Sequence, residues 1–136
     1  MMESRIEKTL ENHKKGYNCC QSVACAYCDL VGMDEETMFR ASEAFGAGMG
    51  GMEATCGAVS GAVLLAGLKN SCGDLKHPTS KGSTYKLSRE IIAKFREKNG
   101  SVVCKDLKGM ETGCPLRSCD GCIEDAAALA EDILFR

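Results

Sequence analysis

The residues of this chain best equipped for chemistry are its cysteines. There are 10 of them in 136 residues, and the thiolate is the form that attacks disulfides and ligates soft metals. Cys19 follows a Gly16-Tyr17-Asn18 turn, Cys56 follows a glycine-rich loop, Cys104 follows a break at Gly100, and Cys122 opens the final expected helix. Unpaired backbone N–H groups and the positive end of the dipole stabilise a thiolate at a helix start. Four thiols match the ligand count of an iron–sulfur cluster, [2Fe–2S] being the form expected here. They also match a structural zinc site, and two of them, such as Cys19 with Cys56, could cycle between dithiol and disulfide with no cofactor. Any single buried cysteine can instead be a small hydrophobe.

Two further spacings bear on the same chemistry. Cys114, Cys119 and Cys122 repeat the C-x4-C-x2-C spacing of plant-type [2Fe–2S] ferredoxins, which makes Cys114 and Cys119 secondary candidates. Cys25 and Cys28 form a CxxC inside an expected helix, without the strand–loop–helix setting of a thioredoxin-like site, and read as a half-buried pair. The glycine loop, Phe45 to Met52, lacks the lysine of a phosphate-binding loop. Its glycines Gly48, Gly50 and Gly51, with Gly57 and Gly61 beyond it, are expected to let backbone approach Cys56 or to turn N–H groups towards sulfur. His13 and His77 are too far apart for a zinc-finger pair. Glu43, Glu53, Asp106 and Asp120 read as surface or helix-start charges, and no general base stands out.

The elements that must position these thiols are helices. Only Pro78 and Pro115 interrupt the chain, and apolar residues recur at three- and four-residue spacing. The pattern predicts an all-α, single-domain bundle of about five to six helices, with the glycine-rich loop before the central one. A first helix carries Ile6 and Leu10; a second, capped by Asn18, carries Cys19, Val23, Ala26, Tyr27 and Leu30 on its inner stripe and closes at Gly32. A third starts near Asp34 and runs through Met38, Ala41 and Phe45. Thr55 is expected to cap a very apolar fourth helix from Cys56 to about Lys69. After a loop over 71–80, a fifth carries Leu87, Ile91, Ile92 and Phe95 and stops at Gly100, and a last begins at Cys119 or Asp120 and reaches Leu134.

Composition narrows the function classes. Lys and Arg number 17 against 19 Asp and Glu, a net charge of −2, so nucleic acid is not an expected partner. The apolar run from Ala62 to Leu68 is far short of a bilayer span. The charged start, MMESRIEKTLENHKKG, has no apolar core of a secretory signal, which leads to a cytoplasmic expectation. In that reducing compartment a high cysteine count points to metal ligation or thiol redox chemistry rather than structural disulfides. A redox partner protein is expected but not identified, and the chain could equally work as a homodimer.

Taken in order, Asn18-Cys19, the loop from Phe45 to Gly51, Cys56-Gly57-Ala58-Val59-Ser60-Gly61, Cys104 and Cys122 make the chain resemble the C-GCAxxG-C-C family of redox-active proteins. The resemblance covers nearly the whole length. It implies a redox role and a site of four cysteines, here Cys19, Cys56, Cys104 and Cys122. The chain is also similar to the non-haem part of split-Soret cytochromes, although it has no C-x-x-C-H for covalent haem.

Overall fold

The computed structural model describes residues 2–136. They form seven helices: α1 (Ile6–Lys14), α2 (Cys19–Ala26), α3 (Glu35–Ser42), α4 (Gly57–Asn70), α5 (Lys81–Asn99), α6 (Cys104–Lys108) and α7 (Cys119–Leu134). Two 3-10 turns, Cys28–Val31 and Glu43–Phe45, follow α2 and α3. Among the described residues the only extended pairing is a single antiparallel bridge between Thr55 and Val103. The fold is all-α, with one helix more than the sequence pattern separates, and no helix is long and apolar enough to cross a membrane.

The central helix is α4, which packs against α2, α5 and α7. Its sequence has little polar face to offer water, and Ala58, Val59, Ala62, Leu65 and Ala66 are wholly buried. Small residues bring its neighbours close. A Cβ on Gly61 would lie 2.9 Å from the Cys20 carbonyl oxygen and 3.1 Å from the Val23 Cβ, so α2 and α4 meet through a glycine. Around this axis Tyr27, Met38, Ile91, Phe95 and Ile123 complete the core.

Two buried carboxylates tie the bundle together. Glu131, 1 % exposed, accepts hydrogen bonds from the Tyr27 hydroxyl at 2.5 Å and the Arg5 amide at 2.8 Å. Burial and this bond push the Tyr27 phenol well above its ordinary range. Asp125 accepts from Lys98 Nζ at 2.6 Å, Arg117 Nε at 3.1 Å and Asn99 Nδ2 at 3.2 Å. Burial raises its pKa, but the bonds from Lys98, Arg117 and Asn99 outweigh that and hold it below the usual carboxylate value.

The structure departs from the sequence pattern at several helix ends. The second helix stops at Ala26, because Tyr27 leaves helical geometry at φ −121° and ψ 8°, and the chain continues as a 3-10 turn to Gly32. Leu30 therefore lies at the surface, 39 % exposed, instead of on the inner stripe. Cys25 and Cys28 straddle this break and are both buried rather than half-buried. The third helix ends at Ser42, before Phe45. Thr55 pairs in the bridge, and Cys56 itself is the N-cap of α4. The extra helix, α6, has five residues and lies between Gly100 and a left-handed Gly109, too short to show a period.

Two substitutions test these ties. Gly61→Ala forces a methyl against a backbone carbonyl that cannot swing away, and should cost about 1–3 kcal/mol in denaturant unfolding. Asp125→Asn should cost on the order of 1–3 kcal/mol at neutral pH. Because its folded pKa is depressed, the contribution of Asp125 is complete above about pH 4 and is lost as the pH falls through the lower folded value. Unfolding titrations of the Asn variant should thus fall less steeply in acid than those of the parent; equal acid slopes would count against this role.

Candidate thiol site

Four helix beginnings bring cysteines to one place. Cys19 is the first residue of α2, whose N-cap Asn18 accepts the Gln21 amide at 2.9 Å while Gln21 Oε1 accepts the Asn18 amide at 2.9 Å. Asn18 Nδ2 also donates to the Glu43 carbonyl at 2.9 Å. The chain must be bare where it crosses this cap, since a Cβ on Gly46 would fall 2.4 Å from Asn18 Cγ. Cys56 caps α4 and Cys104 begins α6, and the two are laced together by backbone bonds: Cys56 N to Val102 O at 2.7 Å, Cys104 N to Ala54 O at 3.0 Å and Lys105 N to Met52 O at 2.9 Å. Cys119 begins α7 behind the cap Ser118, whose hydroxyl accepts the Gly121 amide at 3.0 Å, and Cys122 follows one turn later.

Cys19, Cys56, Cys104, Cys119 and Cys122 line a single pocket with Leu107, Lys108 and Arg117. The free volume among them is about 10 Å³, the space of one water. Glycines allow this closeness. A Cβ on Gly57 would stand 3.1 Å from Cys19 Sγ, and one on Gly48 would stand 2.5 Å from the Cys104 Cβ. The loop before α4 turns sharply, with Ala47, Met49 and Met52 as well as Gly48 at positive φ, a conformation that costs an ordinary residue roughly 1–2 kcal/mol.

Charge is distributed unevenly over the five sulfurs. Cys56 is held below the ordinary thiol range, first by its hydrogen bond with Cys122, against burial, and further by the amides of Ala58 and Val59 at the start of α4. Cys122, the other half of that contact, is pushed up by the same bond and by burial. Burial raises Cys19 despite the Ala47 amide, and raises Cys104 despite the nearby Lys108 ammonium. Lys108 lines the pocket near Cys119, Cys104 and Cys19, and their proximity raises its pKa. Arg117 also lines the pocket, anchored by Asp125. The site therefore sets a cysteine of lowered pKa beside one of raised pKa, with two cationic side chains in the same pocket.

The structure brings together the four cysteines singled out first and one of the two secondary ones. Cys114 is exposed and lies outside the pocket, so the C-x4-C-x2-C spacing does not act as a set. Gly48 and Gly57 crowd the sulfurs; Gly61 serves helix packing; Gly50 and Gly51 are exposed in the turn. The loop approaches Cys19 and Cys104, whereas the amides at Cys56 come from its own helix. Cys20 is buried in the core, and Cys72 is exposed, its pKa lowered to about 6 by the Ser80 hydroxyl and nearby amides. His13 pairs with Asp120 at 2.7 Å and His77 with Asp74 at 3.5 Å, and neither histidine lines the thiol pocket. Sequence reasoning passed over Lys108 and Arg117. Lys108 is four residues after Cys104, the spacing that puts two side chains on one helix face, so that signal was available.

Among the described residues, no three His, Cys, Asp or Glu side chains come together as a single metal ion would require. An iron–sulfur cluster is held by four cysteine thiolates distributed over its irons, and five cysteines line this pocket with Lys108 and Arg117. No curated protein and no solved structure gives a significant match to the chain. The family model described as "Putative redox-active protein (C_GCAxxG_C_C)" matches residues 17–133, and the chain belongs to this redox-active family.

Proposed function

We propose that this pocket is a redox centre in which the thiolates of Cys19, Cys56, Cys104 and Cys122 hold an iron–sulfur cluster, [2Fe–2S] in the expected form, for electron transfer or sensing. The observation that carries the reading is the convergence of five thiols from four separate helix starts on one pocket. A disulfide needs two sulfurs, and a core needs none of them aimed at a common point. Thiolates gathered out of water repel each other and take up protons unless a cation compensates them, so a cluster gives the gathering a physical reason.

When bound, the cluster would supply one-electron chemistry. The chain's own residues do the rest. The amides of Ala58 and Val59 favour the Cys56 thiolate, and Lys108, Arg117 and the apolar side chain of Leu107 line the pocket beside the sulfurs. With about 10 Å³ free, the thiol side chains have to swing apart to admit a cluster.

A second reading has its own support. Cys56 and Cys122 line the same pocket as neighbours, and Cys122 together with the amides of Ala58 and Val59 lowers the pKa of Cys56. That is the arrangement of a dithiol that attacks a disulfide and is resolved by its neighbour, with no cofactor. A structural zinc site has less support, since four sulfurs about 2.3 Å from one ion are not what the pocket offers.

Protein purified without oxygen decides among these. Under the cluster reading it carries iron and acid-labile sulfide with visible charge-transfer absorption, and Cys56→Ser lowers the bound iron more than about tenfold. Iron-free protein that forms a dithiothreitol-reversible Cys56–Cys122 disulfide, mapped by peptide mass spectrometry, would replace it with the thiol-exchange reading. Stoichiometric zinc in colourless protein would replace both.

A further inference from the structure

The pocket holds one thiol more than a four-thiolate cluster uses, and the surplus one is Cys119. It is the first residue of α7 and faces the same cavity as the other four. Cys122 lies three residues on, the spacing at which side chains neighbour one another on a helix surface. The two differ in their surroundings: Cys122 is buried in the pocket beside Cys56, whereas Cys119 is half-buried and near Lys108. Both are on the rigid first turn of a 16-residue helix whose cap, Ser118, fixes its direction.

We propose that Cys119 is a fifth metal-ligating thiol of the site, able to take the place of Cys122 as the ligand contributed by α7. The inference rests on the cluster reading above. Either sulfur reaches the pocket from the same turn, and the remaining ligands, Cys19, Cys56 and Cys104, come from other elements and have no such neighbour within it. Cys20, the one adjacent candidate, is buried in the core and does not line the pocket. The α7 position is thus the one place where the site is duplicated, and Lys108 lines the same pocket beside it.

The test compares the full-length chain with Cys119→Ser, Cys122→Ser, the double variant and Cys104→Ser, all loaded anaerobically with ferrous iron and sulfide. Bound iron, acid-labile sulfide and visible circular dichroism are read, with far-ultraviolet circular dichroism reporting helix content. Each single α7 variant should keep its iron within about twofold of the parent, Cys122→Ser with a changed visible spectrum. The double variant and Cys104→Ser should each lose more than about tenfold. Loss of the cluster in Cys122→Ser alone would overturn the inference while leaving the cluster reading intact, and so would retention in the double variant. A parent chain that binds no iron would end both. Alanine variants at the same two positions guard against a buried hydroxyl: if Cys122→Ser loses helix content, Cys122→Ala is the variant that decides.

Discussion

The helix starts of this molecule answer the cost of keeping several ionisable sulfurs in one small pocket. Each thiolate gathered there raises the energy of the next, and burial adds to that penalty. The fold meets the cost with positive potential from two sources. The backbone supplies one, through the amides that begin α4 and the Ala47 amide at Cys19. Lys108 and Arg117 supply the other. Remove the sulfurs and the convergence of four helix starts would have no evident purpose, since a bundle of this size can bury its core without one.

That convergence explains features that look costly in isolation. Three non-glycine residues in left-handed geometry and a run of glycines are a poor way to join two helices. They are a good way to pass a backbone within van der Waals distance of Cys104 and to leave an amide facing Cys19. The stable part of the bundle lies elsewhere, in the α4 axis and the buried Glu131 and Asp125 ties, so strain in the loop is carried by packing remote from it.

Much of this was legible in the sequence, and the rest was not for definable reasons. Helices with local signals were readable: Asn18 with Gln21, Asp34 before two glutamates, and the small apolar run after Cys56 each declare an element through nearby residues. The cysteines at helix starts were readable for the same cause. Local signals could not reveal which sulfurs meet. Cys114 and Cys119 had equal claims on spacing, yet the turn closed by Gly109, where an added Cβ would strike the Cys114 carbonyl carbon at 2.5 Å, carries Cys114 outward. The α6 helix escaped because five residues show no period, and without that helix the four-residue spacing of Cys104 and Lys108 carries no meaning; the contact of Lys108 with Cys119, eleven residues on, is tertiary.

The exposed thiol in the 71–80 loop has a practical side. Cys72 stands in open solvent with its pKa lowered to about 6, so at neutral pH it is mostly ionised and freely reachable. Electrophilic reagents consume such a sulfur first. Partial alkylation of the intact protein therefore reports first on a residue outside the thiol pocket, and a bulk count of reactive thiols does not measure the pocket alone.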